Sequence, residues 1–308
     1  MRICVTGGAG NIGSVLVKKL LEDDDNFIVV ADNLSTGRIS KLPPLTSNWR
    51  FLRCDVNDTT DVADFDSFCK FDYIFHFAAV VGVERTQKNP VSVLRDIDGI
   101  KNILDMAKNT GVKRVFFSSS SEIYGEPVFI PQNEDKTPLN SRLPYAVVKN
   151  VGESFCRSYH QEYGLSYTIF RFFNTYSYSQ TTDFVIPKFI KKALRNEDIP
   201  IYGDGLQTRT FLYVDDTVDV CLGCLYDGKM KNDVLNVGSD KMFTILDVAK
   251  LVIKLCNSKS KIMFLPPLKE GDMTRRQPDN TKMKQVLGRE LLSLEDGIKK
   301  MITEYEKN

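Results

Sequence analysis

Along the first 174 residues, short apolar runs alternate with segments whose apolar residues recur at helical spacing. Three segments have the helical period, and the last two end in a glycine: "IGSVLVKKLLED", "SVLRDIDGIKNILDMAKNTG" and "YAVVKNVGESFCRSYHQEYG". Six apolar runs predict strands: "RICVTG", "FIVVADN", "WRFLRCDV", "FDYIFHFAA", "VKRVFFSSS" and "LSYTIFRFFN". Strands that alternate with helices predict an α/β fold, a doubly wound parallel sheet with helices on both faces.

After about residue 175 this alternation weakens. Polar residues, glycine and proline dominate three stretches that predict loops: "YSYSQTTDFVIP", "IYGDGLQTRTF" and "FLPPLKEGDMTRRQPDN". Helical spacing returns near 244–256 and 293–306. We therefore expect a first domain at 1–175 and a second, smaller α/β lobe at 176–308, with some segments returning to the first domain and a cleft between the two.

The composition is that of a globular protein and excludes several functional classes. The chain has 308 residues, of which 42% are hydrophobic and 26% charged, and its net charge is +1. Neither a nucleic-acid footprint nor a polybasic membrane surface is therefore expected. No apolar run approaches the roughly 20 residues needed to span a bilayer, and the first residues already resemble a strand, so we expect a cytoplasmic protein.

Cysteine and histidine give no indication of a metal site. Seven scattered cysteines without a secretion signal predict free thiols. Cys221 and Cys224 form one CxxC pair, but the apolar residues around them have helical spacing, which favours packing over metal or redox chemistry. His76 and His160 are the two histidines, too few for a His-based metal site or a Ser-His-Asp triad.

A glycine-rich loop, "VTGGAGNIGS", follows the first predicted strand and opens the first helix. Gly8, Gly10 and Gly13 match G-x-G-x-x-G, and Gly7 gives the related G-x-x-G-x-x-G. Such a loop lets the backbone approach a pyrophosphate at a helix N-terminus, as in a Rossmann dinucleotide-binding domain. Asp32 ends the second strand, where a carboxylate binds ribose hydroxyls and favours NAD over NADP; Arg38 nearby leaves NADP open.

A second candidate site combines a serine-ended strand with a helix. The predicted fifth strand ends in Ser118–Ser121 and then Glu122, a pattern that fits either a solvated strand end or an active site. Tyr145 and Lys149 are spaced i and i+4, on one face of a helix. An ammonium one turn away favours the phenolate, so this pair can form a general base without histidine.

These motifs occur in one order with "HFAA", "SSSSEIYGE", "YAVVK", "RFFNTY", "IYGDGLQTRTFLYVDD" and "GDMTRRQPD". Over nearly its whole length the chain resembles the extended short-chain dehydrogenases/reductases, in the nucleotide-sugar epimerase/dehydratase group. The resemblance implies an enzyme with NAD as cofactor and a nucleotide-diphosphate sugar as substrate. It also implies a homodimer that pairs the helices at about 92–110 and 145–163.

The resemblance further implies roles for individual residues. The NAD site is formed by Gly7, Gly10, Asn11, Ile12, Asp32, Asn33, Ser35, Asp55, Val56, Ala78, Tyr145 and Lys149. The catalytic residues are Ser120, Glu122, Tyr145 as the base and Lys149 as its partner. The substrate-binding residues are Ser121, Asn174, Arg209, Lys269 and Asp272, with Pro187 and Tyr202 near the nucleotide base.

Four features depart from the family pattern or leave two interpretations. Asp96 stands where an asparagine is common, and Ser177 replaces a glycine in "NTYS". Lys269 replaces an arginine and offers the diphosphate a point charge instead of a bidentate fork. The pair Arg275 and Arg276 fits either phosphate ligands or a solvated loop.

Glu122 leaves the reaction open. Sugar 4,6-dehydratases and uronate decarboxylases have a glutamate at this place, whereas simple 4-epimerases have a small or neutral residue. Against dehydration, no aspartate precedes Glu122; against decarboxylation, "YAVVK" lacks the acidic residues typical of that tyrosine motif. We expect C4 oxidation followed by 4-epimerisation, with 4,6-dehydration or UDP-glucuronate decarboxylation as alternatives. A non-catalytic NAD-binding scaffold is the alternative from another class, and the intact Ser120, Tyr145 and Lys149 argue against it.

Overall fold

The computed structural model describes residues 1–82, 86, 88–267 and 276–307. Its strands are β1 (Arg2–Thr6), β2 (Phe27–Asp32), β3 (Trp49–Arg53), β4 (Tyr73–His76), β5 (Arg114–Ser120), β6 (Tyr167–Phe172), β7 (Thr175–Tyr176), β8 (Ile199–Tyr202), β9 (Thr208–Thr210), β10 (Leu212–Tyr213), β11 (Asp233–Val237), β12 (Met242–Thr244) and β13 (Ile262–Leu265). Its α-helices are α1 (Asn11–Leu20), α2 (Thr59–Phe68), α3 (Pro90–Leu94), α4 (Asp96–Thr110), α5 (Pro144–Tyr163), α6 (Val185–Leu194), α7 (Val214–Tyr226), α8 (Ile245–Leu255), α9 (Thr281–Leu287) and α10 (Leu294–Glu306). Short 3-10 helices form at Ile39–Lys41 and Ser121–Tyr124.

The central sheet has seven parallel strands in the order β11-β6-β5-β4-β1-β2-β3. The chain winds from β1 to β2 and β3 on one side, and then returns to β4, β5 and β6 on the other, which confirms the predicted doubly wound fold. Strand β1 lies at the reversal point, and its Ile3, Cys4 and Val5 are fully buried, as a strand covered on both faces requires. The carboxyl ends of β1 and β4 therefore flank the position where such sheets bind ligands.

Several elements differ from the sequence-based prediction, and helix α2 and the short strands β8 and β9, for example, were not predicted. The seventh strand, β11, was not predicted, because "DVLNV" contains two polar residues in five. Helix α6 begins within a stretch predicted as a loop, which ended at Pro187; this proline lies in the first turn of the helix, where its missing N–H is tolerated. The single helix predicted at 92–111 is divided at Arg95 into α3 and α4.

The chain divides into two compact units. The first comprises Met1–Gly125, Leu139–Phe172 and Val218–Leu235, and it contains the sheet core. The second comprises Glu126–Pro138, Phe173–Thr217 and Asn236–Asn308. The assignment of cofactor to 1–175 and of sugar to 176–308 remains a prediction.

The second unit is built from short paired strands and helices. β7 pairs with β10 and β8 with β13 in parallel, whereas β9 and β12 are antiparallel. Helices α8 and α10 confirm the periodicities near 244–256 and 293–306, and each begins at a capping hydroxyl. Thr244 accepts a hydrogen bond from the Asp247 N–H, and Ser293 accepts one from the Asp296 N–H.

The cysteines and the apolar helices are consistent with packing. All seven cysteines are free thiols, and Cys221 and Cys224 are fully buried on α7. Burial raises the pKa of Cys224 to about 12, so this thiol stays protonated. Among the described helices, none is long and apolar enough to cross a membrane. No group of three metal-ligating side chains forms in the described part of the chain.

Helix α5 packs on β5 at unusually short range because of one glycine. A Cβ added at Gly152 would lie 2.3 Å from Phe117 Cζ and 3.0 Å from Ile100 Cδ1. We expect Gly152→Ala to lower the free energy of unfolding by about 1–3 kcal/mol, since a buried ring must move. Urea unfolding measures this, with Ser154→Ala on the exposed face of α5 as control. An unfolding free energy equal to that of the wild type would contradict the close packing.

Candidate active site

The glycine loop has the geometry of a dinucleotide cradle. Gly7 has φ +68°, and a Cβ there would lie 2.7 Å from the Ala78 nitrogen; at Gly13 it would lie 2.4 Å from the Gly7 carbonyl oxygen. Gly10 precedes α1 and provides no side-chain cap, so the N-terminus of this helix is suited to donate backbone hydrogen bonds to an anion. Gly7 and Gly13 are thus required by the tight turn and by close backbone packing, and this turn leads into the N-terminus of α1, where a pyrophosphate can bind, so these residues fit NAD.

Asp32 links the end of β2 to the glycine loop. Its Oδ2 accepts a hydrogen bond from the Ala9 N–H (3.0 Å) and its Oδ1 from the Leu34 N–H (2.8 Å). Each carboxylate oxygen retains capacity for a further donor, such as a ribose hydroxyl. The Arg38 N–H also binds the Ala9 carbonyl (3.0 Å), and its side chain is exposed.

Four further residues predicted for the NAD site follow the ends of β2 and β3. Asn33 Nδ2 donates to Asp55 Oδ2 (3.3 Å), and Asn33 Oδ1 accepts from the Ser35 N–H (2.9 Å). The Val56 carbonyl accepts a hydrogen bond from Asn102 Nδ2 (3.0 Å). The structure therefore brings Asn33, Ser35, Asp55 and Val56 together beside Asp32.

The adjacent ends of β1 and β4 carry two polar side chains, Thr6 and His76, to which the sequence-based prediction assigned no role in the site. Thr6 Oγ1 accepts from the N–H groups of Phe77 and Ala78 (both 3.2 Å), so it donates its own proton to His76 Nδ1 (2.8 Å). Burial and the charge of Lys149 lower the pKa of His76 to about 3. His76 is neutral at physiological pH and fixes the strand end that carries Ala78; it is too weak a base to replace Tyr145.

Tyr145 and Lys149 begin α5 and face the serine-ended strand. The Lys149 ammonium lies 5.8 Å from the centre of the Tyr145 ring and donates to Ser118 Oγ (3.3 Å). Burial lowers the pKa of Lys149 to about 8, against the opposing effect of the Asp96 carboxylate. A buried cation beside a half-exposed phenol is suited to stabilise its ionised form.

Asp96 is a buried carboxylate at the start of α4. Its Oδ2 accepts from the Val80 N–H (2.7 Å) and its Oδ1 from Asn57 Nδ2 (3.4 Å). Burial raises the pKa of Asp96, partly offset by the Val80 hydrogen bond and by Lys149. Asp96, which stands where an asparagine is common in the family, thus places a carboxylate whose charge raises the pKa of Lys149 against the effect of burial.

The four serines mark where β5 turns into the 3-10 helix Ser121–Tyr124. Ser120 Oγ accepts a hydrogen bond from the Glu122 N–H (3.2 Å), which leaves its own O–H available to donate. Ser121 is almost fully buried, whereas Glu122 is half-buried. The polar strand end is therefore an ordered turn beside Lys149, as expected for an active site at the carboxyl edge of the sheet.

The substrate-binding predictions fall mainly in the second unit. Asn174 Nδ2 donates to the Thr210 carbonyl (3.1 Å), so Asn174 lies next to the buried Arg209. Tyr202 is exposed, with the Lys188 ammonium 5.8 Å from its ring centre, and the buried Pro187 precedes Lys188 on α6. Ser177 and Arg276 are both buried. Two predicted residues, Lys269 and Asp272, together with Arg275, lie outside the described residues.

Comparison with known proteins agrees with this geometry. The family model described as "NAD dependent epimerase/dehydratase family" matches residues 3–238. The chain belongs to this family. Its members' dependence on NAD accords with the cradle formed by Gly7, Gly10 and Gly13, and NAD is the cofactor of this epimerase/dehydratase-family enzyme.

Similar proteins of this family carry out different reactions. The chain is 33% identical to a UDP-N-acetyl-alpha-D-glucosaminuronate decarboxylase of Bacillus cytotoxicus, over 98% of this chain and 96% of that protein. It is 33% identical to a UDP-glucose 4-epimerase of Thermotoga maritima, solved with UDP-glucose, with a TM-score of 0.93 over 100% and 99% of the two chains. A dTDP-glucose 4,6-dehydratase of Streptomyces venezuelae, solved with NAD, is 29% identical, with a TM-score of 0.90 over 100% and 98%.

Proposed function

We propose that this enzyme acts on a nucleoside-diphosphate sugar and begins by oxidising its C4 hydroxyl. The observation that carries the proposal is the arrangement of α5 against the end of β5. There Lys149 lies between Ser118 and Tyr145, and Ser120 has a hydroxyl proton free to donate. A base, a cation that stabilises it and a hydrogen-bond donor are what removal of a hydroxyl proton requires.

Each residue then has one task. NAD, when bound by the glycine loop and Asp32, supplies the oxidant for C4. Tyr145 accepts the proton of the 4-hydroxyl, and Lys149 holds the phenolate by its charge. Ser120 donates to the sugar O4 and orients it toward Tyr145. Asn174 and Arg209, in the second unit, hold the diphosphate and ribose, and Pro187 and Tyr202 contact the nucleotide base.

The first candidate outcome is 4-epimerisation, in which the 4-keto sugar rotates and is reduced on its other face. It is supported by the similarity to UDP-glucose 4-epimerase over the whole chain. In this reaction Glu122 orients a hydroxyl and stabilises the strand end, and it transfers no proton.

A second candidate is decarboxylation of a UDP-uronic acid. It is supported by the half-buried Glu122, whose N–H is bound by the candidate catalytic Ser120, and by the similarity to a uronate decarboxylase. Dehydration across C5 and C6 remains a third outcome of the same 4-keto intermediate. All three outcomes share Tyr145, Lys149 and Ser120.

Product masses distinguish these outcomes. The purified enzyme is incubated with a panel of UDP-, GDP-, CDP- and dTDP-sugars that includes UDP-glucose, UDP-N-acetylglucosamine, UDP-glucuronic acid and dTDP-glucose, and the products are separated and their masses measured. An isomer of unchanged mass supports epimerisation, loss of carbon dioxide supports decarboxylation, and loss of water supports dehydration. No conversion of any of these sugars would contradict the proposed function.

Glu122→Gln separates the roles of the carboxylate, since the amide keeps the shape and loses the base. If Glu122 removes the C5 proton in a dehydration, product formation should fall by about 10²-fold or more. In epimerisation, which we expect, the loss should be about tenfold or less, because no proton passes through Glu122. Steady-state rates measure this, with the exposed Glu126→Gln as the matched control. A large loss with trapped reduced nicotinamide would contradict epimerisation.

We also propose that the enzyme is a homodimer. Apolar side chains are exposed on α3, at Val91 and Leu94, and on α5, at Val147 and Tyr163. Burying them against a second copy would remove an apolar patch from water. Sedimentation at micromolar concentration should give twice the monomer mass of 35.0 kDa; a monomer would contradict the pairing, and Val147→Glu should weaken the dimer.

A further inference from the structure

A buried ion pair joins α5 to β6 directly behind the candidate catalytic residues. Glu153 is fully buried and Arg171 is 2% exposed. Arg171 Nε donates to Glu153 Oε1 and Arg171 Nη2 to Glu153 Oε2, both at 2.8 Å, which is a bidentate pairing. None of the roles assigned above uses either side chain.

The pair connects each segment that carries a catalytic candidate. Glu153 follows Lys149 by one helical turn on α5. Its Oε1 also accepts from Ser119 Oγ (2.7 Å), and Ser119 lies between Ser118 and Ser120. Arg171 Nη1 donates to the Tyr124 hydroxyl (2.8 Å), and Tyr124 ends the 3-10 helix that contains Glu122.

The network is fully satisfied and stays ionised. Burial alone would raise the pKa of Glu153, but hydrogen bonds from Arg171 and Ser119 outweigh it and the pKa lies below its usual value. Arg157, which is partly exposed, adds a fourth donor to the same carboxylate at 3.0 Å. Glu153 therefore transfers no proton, and its burial keeps it away from substrate.

Stability alone does not explain this arrangement. Desolvating two charges costs free energy that their attraction repays only in part, and well-packed apolar residues hold such elements together equally well. What a bidentate pair adds is a fixed distance and direction between its two chain segments. Here those segments are α5 and β6, with Ser119 and Tyr124 bound to the same two side chains.

We propose that Glu153 and Arg171 are positioning residues that hold Tyr145 and Lys149 at a fixed distance from Ser120 and Glu122. The proposal rests on the proposed function, because it assigns the pair a task in that reaction. It differs from a purely structural role in one respect. Removing the pair should lower kcat strongly, while the protein still folds and KM changes little.

The main test is the double variant Glu153→Leu/Arg171→Met, which removes both charges and retains apolar bulk. We expect it to fold, to bind NAD within about threefold of the wild type, and to show a small change in KM. Its kcat should fall by about 10²-fold, the scale of a misplaced catalytic group. Arg157→Met is the matched control, since it removes the solvent-exposed cation on the same carboxylate, and its kcat should stay within about twofold.

A second variant tests the proposal even if the double variant does not fold. Tyr124→Phe deletes one hydroxyl of the network and leaves the ion pair; its kcat should fall by about three- to tenfold, while the pH profile of kcat stays unchanged. A folded double variant with kcat within threefold of the wild type overturns the proposal, as does Tyr124→Phe at full activity when the double variant does not fold.

Amide hydrogen exchange gives a readout that needs no substrate. We expect faster exchange at residues 118–125 in the double variant and in Tyr124→Phe, and no change in Arg157→Met. Unchanged exchange at these amides overturns the positioning role. If the wild type converts none of the sugars, the proposed function fails, and exchange alone then decides the positioning.

Discussion

Tyr145→Phe should reduce turnover by about 10²–10⁴-fold, the range that a general base contributes. The phenylalanine ring keeps the packing of the half-exposed tyrosine at the start of α5, but no oxygen remains to accept the proton of the sugar hydroxyl. NAD binding should change little, because the glycine loop and Asp32 hold the pyrophosphate and ribose. Steady-state turnover and NAD titration measure the two effects separately.

Tyr163→Phe is the matched control for this change. Tyr163 lies at the other end of α5 and is half-exposed, so deleting its hydroxyl should leave turnover within about twofold. Activity of Tyr145→Phe within a factor of ten of the wild type would remove Tyr145 from the role of base.

Lys149→Met should affect turnover and stability in opposite directions. Turnover should fall by about 10²-fold or more, since the charge that stabilises the phenolate is lost. The free energy of unfolding at pH 7 should rise by about 1–3 kcal/mol, because burial lowers the pKa of Lys149 to about 8 and the folded protein therefore disfavours this charge. Lys250→Met, at an exposed site on α8, should change neither quantity.

The pH dependence of the stability gain follows from the sign of this shift. Below about pH 8 the lysine is charged in both the folded and the unfolded state, so its full cost is present. From there to the ordinary lysine pKa of 10.5 the folded protein loses the charge, and the gain from Lys149→Met should disappear. Urea unfolding at pH 7 and pH 10.5 measures this difference. If Lys149→Met is less stable than the wild type at pH 7, the conclusion that the buried charge of Lys149 lowers the free energy of unfolding is wrong.

The sequence predicted those helices and strands whose apolar residues follow a regular spacing within the element itself. Strands β1 to β6 and helices α1, α4 and α5 follow from periods that neighbouring residues define, and the glycine loop follows from its spacing. Strand β11 was missed because its identity depends on pairing with β6, and its Asn236 is polar but fully buried. Its side chain donates to the carbonyls of Gln132 and Asp279, partners far away in the chain.

The buried ion pair shows the same limit within the site. From the sequence alone, Glu153 in "VGESF" and Arg171 in "FRFF" would be predicted to lie on the surface, since an isolated charged side chain is rarely buried. Each is buried because the other is present, and their contact depends on how α5 crosses the sheet at Gly152. Tyr145 and Lys149 were predictable because both lie on one helical turn, whereas the Ser119–Glu153 contact joins two elements.

One measurement tests C4 oxidation most directly. Enzyme with bound NAD is mixed with UDP-glucose, and separately with UDP-glucuronic acid, each carrying hydrogen or deuterium at C4, and the absorbance of reduced nicotinamide is followed during the first turnover. We expect that a sugar which the enzyme converts produces reduced nicotinamide and that deuterium slows its appearance. The label should return to C4 of the product in epimerisation or decarboxylation, and move to C6 in dehydration. Product formation without reduced nicotinamide, or loss of the label to water, would contradict C4 oxidation.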